Sequence, residues 1–228
     1  MGLKNIELSS NLIRQFRLQA SNLLLIYSPW AFLLLIASLQ TKIPLRYLTR
    51  DPAAIFRQPF YYGFFSHIGV ILWCGCAAIC LFCSAVIFAK RKKTKLFWFL
   101  LTSGILTTFL FIDDLFLVHE VVFPTYLKIP GELVYLFYLI FIIFYILKFY
   151  KIVLNTNFIL LAFAFLFFGI SVVVDKLVDL NMAPMPQAWL ENQGELLLDD
   201  GTKLLGIVSW CAYYIKVCFR NIKQLTLQ

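Results

Sequence analysis

Charged side chains are scarce in this sequence: they make up 14% of its 228 residues, against about a quarter in typical soluble domains. No Gly-rich phosphate loop, nucleophile elbow or zinc-protease motif occurs. No loop carries a pair of cysteines, so a disulfide framework is not expected. The long apolar runs do not alternate with polar residues, which excludes a transmembrane β-barrel.

Apolar side chains are correspondingly abundant, at 61% of the chain, and 24 of them are phenylalanines. Six runs approach the roughly 20 residues that a helix needs to cross the hydrocarbon core of a bilayer. Backbone groups must be paired in lipid, so each run is expected to be helical. The predicted fold class is therefore an all-α, polytopic membrane helix bundle, a single domain over residues 1–228 with about six transmembrane helices, at about 22–40, 66–89, 96–118, 132–149, 152–174 and 195–216.

The sixth predicted span depends on charged residues. Its uncharged part, residues 204–215, is too short to cross a bilayer alone. It reaches spanning length only by including Lys203 and Asp200, and with them Asp199. Charged groups are thus expected at membrane depth, where they normally face a bundle interior and form pairs.

The distribution of Lys and Arg predicts the orientation. With both termini in the cytoplasm, the larger share of these residues lies on the inner side, as the positive-inside rule requires. The first outer loop opposes this bias with Lys42, Arg46, Arg50 and Arg57. A plasma membrane of the bacterial inner-membrane type is expected. Two segments are expected to lie on the membrane surface: an N-terminal interfacial helix at residues 6–18, and a helix that starts at Asp51-Pro52.

Acidic residues gather at the outer ends of the predicted spans. Span 3 ends with Asp113, Asp114, His119 and Glu120, while span 6 begins with acids at 195, 199 and 200. Regular helical spacing puts Asp113 and Glu120 on one face of span 3 and turns His119 away from it. The same spacing favours an Asp199–Lys203 ion pair. The sequence predicts an outward-facing acidic pocket lined by Asp113, Asp114, His119, Glu120, Glu195, Asp199, Asp200 and Lys203.

Several functions fit such a pocket. The leading hypothesis is binding of a cation or exchange of protons, with Asp113, Glu120, Glu195 and Asp199 as the candidate ligands of a divalent metal ion. One alternative is a metal-dependent intramembrane hydrolase that acts on a lipid-type substrate. Another is a structural subunit that assembles with other membrane proteins, and in a further interpretation the acids form only a solvated rim.

The expected partners are the lipid bilayer and, in the assembly alternative, other membrane subunits. Nucleic acid is not expected, because the basic residues form short clusters between apolar runs rather than a continuous stripe. Cys76, Cys80 and Cys83 share one helix face and are expected to pack against a neighbouring helix.

The stretch from Asp199 to Lys203 is similar to the Asp-x-x-x-Lys pattern on the last helix of microbial rhodopsins. That resemblance implies a retinal bound to Lys203. It covers five residues, and the chain departs from the family in having six predicted spans rather than seven and no Arg in span 3. Retinal is therefore not expected as a cofactor.

Overall fold

The computed structural model describes residues 2–179 and 195–227, and every regular element in these ranges is a helix. For residues 2–18, 132, 178, 179, 195–197 and 226 only the backbone is described. The chain divides into two compact units, Met1–Tyr62 and Gly63–Gln228. The predicted all-α fold class is confirmed.

The first unit contains one long helix, α1 (Gly2–Leu39). The predicted surface helix at residues 6–18 is part of α1, which continues without interruption into the apolar stretch Gln19–Leu39. A single helix thus takes the place of the predicted surface helix and the first predicted span.

Two short helices complete this unit: α2 (Leu45–Thr49) and α3 (Pro52–Phe56). The carboxylate of Asp51 accepts hydrogen bonds from the backbone N–H groups of Ala53 and Ala54, at 2.8 and 3.3 Å. The proline that follows needs no donor at the first helical position. The helix start predicted at Asp51-Pro52 is confirmed.

The second unit is a helical bundle. Its described elements are α4 (Phe64–Arg91), α5 (Lys95–Phe116), a π-helix (Val118–Leu127), α6 (Gly131–Leu154), α7 (Phe158–Asp179) and α8 (Glu195–Thr226).

Five helices among the described residues are long and apolar enough to cross a membrane. They comprise Gln19–Leu39, Phe64–Arg91, Lys95–Phe116, Leu133–Leu154 and Phe158–Leu177. These helices correspond to the first five predicted spans. The sixth predicted span is helical as α8, but charged residues flank its short apolar part, and it does not reach the same apolarity.

Helix α8 contacts four other helices of the second unit: α4, α5, α6 and α7. It has 32 residues and is therefore about 48 Å long. It runs antiparallel to α5, because Lys203 meets Asp114 and, further along, Trp210 meets Thr107. It also runs antiparallel to α7, because Asp199 contacts Ser171 before Trp210 contacts Phe165.

Helix α8 runs parallel to α4. The thiol of Cys211 lies 3.2 Å from the carbonyl oxygen of Leu72, and seven residues later Cys218 lies 3.9 Å from that of Ile79. The three α4 cysteines predicted to share a face (Cys76, Cys80 and Cys83) are all buried in the same core cluster as Cys211 and Cys218. Small sulfur-containing side chains thus allow two helices to approach closely, as the sequence predicted.

The connection between α6 and α7 differs from its predicted position. Helix α6 was expected to end at 149, but it continues to Leu154, and a turn at residues 155–157 follows. Lys151, which lay between the predicted spans, is therefore within a helix, and Lys148 is within a helix as predicted. The Lys148 ammonium lies 5.5 Å from the centre of the Phe149 ring, and a long lysine stem can lie along apolar surface while its charge stays near water.

Candidate functional site

A break in the backbone shapes the candidate site. Helix α5 ends at Phe116, and Leu117 adopts the left-handed conformation, with φ of 50°, while its N–H donates to the carbonyl oxygen of Asp113. The chain then continues as the π-helix from Val118. The third predicted span, expected to stay regular to 118, is therefore interrupted between Asp113 and Asp114 on one side and His119 and Glu120 on the other.

This break brings His119 back onto Asp113. One carboxylate oxygen of Asp113 accepts the backbone N–H of His119 at 2.9 Å, and the other lies 2.7 Å from the ring nitrogen Nδ1. Both residues are buried, at 6% and 9% exposure. The expectation that His119 points away from Asp113 was wrong, because regular helical spacing does not hold across Leu117.

The second ring nitrogen of His119 also faces an acid. Its Nε2 lies 3.4 Å from a carboxylate oxygen of Glu120, whose side chain is half exposed. The ring of Tyr135, on α6, lies 5.1 Å from the imidazole, measured between ring centres. His119 is thus held between a buried carboxylate and a partly solvated one.

An ion pair joins α5 to α8 beside this histidine. The Lys203 ammonium lies 2.5 Å from a carboxylate oxygen of Asp114, whose side chain is 8% exposed. The Lys203 side chain is one-third exposed, and its ammonium is also attracted by the negative charge of Glu120. The expected Asp199–Lys203 pair was wrong: the Asp199 carboxylate instead accepts a hydrogen bond from Ser171 on α7. Antiparallel packing of α8 against α5 offers Lys203 a closer acid than its own helix does.

The predicted pocket residues therefore separate into groups. Asp113, Asp114, Glu120, His119 and Lys203 come together at the junction of α5, the π-helix and α8. Asp199 faces α7 instead, and Asp200 is exposed. The side chain of Glu195 lies outside the described residues. Whether these groups line one pocket stays a prediction.

The predicted metal site gains no support. Within residues 2–179 and 195–227, no group of three or more His, Cys, Asp or Glu side chains is arranged to hold a metal ion. Of the four proposed ligands, Asp113 binds His119 and Asp199 binds Ser171. Divalent metal binding therefore stays a prediction.

Sequence reasoning missed a network of buried hydroxyl groups deeper in the bundle. The Tyr145 hydroxyl lies 2.6 Å from that of Ser103 and 2.9 Å from that of Tyr214, which links α5, α6 and α8. One turn along α5 from Ser103, the Thr107 hydroxyl accepts a hydrogen bond from the Trp210 indole at 3.1 Å. The available signal was the spacing of Ser103 and Thr107, which puts two small polar residues on one face of an apolar helix.

The fold and this cluster define a class of protein: five helices among the described residues are able to cross a membrane, and the helical bundle of the second unit holds buried charges at one end. A family model described as a domain of unknown function (DUF8692) matches residues 23–217. The match covers most of the chain, and the protein belongs to that family. No curated protein and no solved structure matches the sequence.

Proposed function

We propose that this protein is a multi-pass membrane protein that takes up and releases a proton at His119. The observation that carries the proposal is the position of the imidazole between Asp113 and Glu120. A protonated imidazole donates hydrogen bonds from both ring nitrogens. Here each ring nitrogen faces a carboxylate oxygen that can accept such a bond. Histidine is the side chain whose charge ordinarily changes between about pH 5 and 8.

The charges around His119 favour a proton over a metal ion. The Asp114 carboxylate already has an ammonium partner in Lys203. Asp113 is engaged by both the backbone and the ring of His119. A divalent ion would have to displace these contacts to gain ligands, whereas a proton on His119 strengthens its contacts with Asp113 and Glu120. Burial of the surrounding carboxylates also raises the cost of leaving their charges without a positive partner.

The proposal includes a sixth crossing by α8 and termini in the cytoplasm. Support for the crossing comes from α8 itself, which reaches Asp114 at one end of α5 and packs beside Phe99 near the other. A helix surrounded by other helices can carry charge at membrane depth if that charge is paired. Support for the orientation comes from the Lys and Arg distribution, which puts His119 on the outer side.

The test exploits the presence of only two histidines in the chain, His67 and His119. In a His67→Gln background, ¹⁵N NMR of histidine-labelled protein in lipid nanodiscs reports His119 alone. We expect the two ring nitrogens to change between the neutral and the cationic pattern within the pH range over which the protein stays folded. The reciprocal His119→Gln variant is the matched control and reports the exposed His67.

An Asp113→Asn variant tests the geometry. We expect loss of the strongly downfield Nδ1–H proton signal that a short hydrogen bond to a carboxylate produces. An imidazole that keeps one protonation state at every pH at which the protein stays folded would refute proton exchange at His119. A downfield signal that survives Asp113→Asn would show that the proton is held by another group.

A further inference from the structure

The segment that follows α1 carries an excess of positive charge. Residues 42–57, called here the cationic segment, contain four basic residues and one acidic residue: Lys42, Arg46, Arg50, Arg57 and Asp51. All four basic side chains are exposed. The single carboxylate is engaged with the backbone at the start of α3.

The basic side chains of the cationic segment have no acidic partner among the described residues. In the part of the chain that the structure describes, none of the four forms an ion pair. The guanidinium of Arg46 lies 4.8 Å from the centre of the Tyr47 ring, and its Nη2 donates to the Tyr47 hydroxyl at 3.0 Å. These contacts hold the guanidinium in place without neutralising it.

Exposed aromatic rings accompany this charge. Phe56 is 65% exposed, and the residues just beyond the segment include Phe60 at 90% and Tyr61 at 58%. The segment begins directly after Gln19–Leu39, a helix long and apolar enough to cross a membrane. Aromatic rings next to such a helix favour the headgroup level of a bilayer, where basic side chains attract anionic lipids.

We infer that the cationic segment binds the phosphate groups of anionic phospholipids at the membrane surface. Guanidinium groups match phosphate oxygens in geometry as well as in charge, and three of the four cations are arginines. Each basic residue near an anionic surface contributes roughly a fivefold increase in association.

Site-resolved photolabelling of the full-length protein tests this inference. The protein is placed in nanodiscs of equal phosphatidylglycerol and phosphatidylcholine, with a photoreactive analogue of one lipid in each preparation. Digestion with chymotrypsin gives the same peptides when Lys and Arg are replaced, and mass spectrometry measures labelling within residues 42–57. We expect several-fold more labelling by phosphatidylglycerol than by phosphatidylcholine.

Two perturbations should remove that preference. The first is a variant with Lys42→Gln, Arg46→Gln, Arg50→Gln and Arg57→Gln. The second needs no substitution: about 1 M salt shortens the Debye length to roughly 3 Å and should reduce the preference in the unaltered protein. The matched control neutralises the basic cluster at the end of α4 and in the connection to α5 (Lys90→Gln, Arg91→Gln, Lys92→Gln and Lys93→Gln) and should leave labelling of residues 42–57 unchanged.

Equal labelling by the two lipids would overturn the inference. So would a preference for phosphatidylglycerol that persists both in high salt and in the four-fold glutamine variant. Loss of the preference in the α4–α5 control would also overturn it, because the selectivity would then arise from the protein's overall charge. None of these outcomes bears on the protonation of His119.

Discussion

The Asp114–Lys203 ion pair allows a quantitative test of the bundle. Two unit charges about 4 Å apart attract by about 4 kcal/mol at an effective dielectric constant of about 20, and by about 1 kcal/mol in water. The Asp114 side chain is 8% exposed and that of Lys203 is 33% exposed, so the pair lies between these limits. We expect a coupling energy of about 2 kcal/mol between the two side chains.

A double-mutant cycle measures this coupling. Lys203→Met leaves a nearly buried carboxylate without a partner and should lower the free energy of unfolding by about 3 kcal/mol. Asp114→Asn should cost about 1–2 kcal/mol, because the freed ammonium can turn toward water. The double variant should then lose about 2 kcal/mol less than the sum of the single losses.

The assay is reversible unfolding by sodium dodecyl sulfate in mixed micelles, followed by circular dichroism and extrapolated linearly. Lys148→Met is the control, since Lys148 is exposed on α6 with aromatic rings and no acid beside it. It should change the free energy of unfolding by less than about 0.5 kcal/mol. A coupling energy below about 0.5 kcal/mol would refute the view that the Asp114–Lys203 pair stabilises the packing of α8 against α5.

Two further substitutions test the packing of the bundle in the same assay. In Gly104→Ala the new methyl group would lie 2.8 Å from a side-chain carbon of Leu81 and 3.1 Å from its backbone nitrogen, so a loss of about 1–3 kcal/mol is expected. Gly75→Ala meets nothing within 4 Å and should be neutral or slightly stabilising; equal losses would show that close helix contact is not the cause. Tyr145→Phe removes the shared hydroxyl of the buried network and should cost about 1 kcal/mol, whereas exposed Tyr150→Phe should cost nothing measurable.

The sequence predicted helices well because apolar run length and backbone pairing in lipid determine them locally. It failed at the site, where the arrangement depends on a conformation that composition does not reveal. The sequence does not predict the left-handed backbone conformation of Leu117, since this conformation is uncommon for residues other than glycine. The conformation of Leu117 brings His119 into contact with Asp113, whereas regular helical spacing would keep the two residues apart.

The same limit explains the wrong partner for Lys203. Within one helix, an acid four residues earlier is the natural partner, and Asp199 fits that rule. The rule ignores neighbouring helices, and here both α5 and α7 pack against α8. Each offers a better contact, Asp114 to Lys203 and Ser171 to Asp199. The sequence pattern therefore identifies the polar residues at this end of the bundle, but the packing of the helices determines which of them are in contact.

The charges of α8 and its contacts with four other helices have one physical explanation. A helix that faced lipid could not carry Lys203 beside an apolar segment as short as residues 204–215. Helix α8 instead buries Trp210, Tyr213 and Tyr214 among the other helices and pairs Lys203 with an acid of α5. The opposite face of α8 exposes apolar side chains, among them Leu205, Val208 and Phe219, so the helix combines an exposed apolar face with a buried face and a paired charge. Loss of the Asp114–Lys203 pair should therefore loosen the end of the bundle that holds His119 before it affects the buried hydroxyl network.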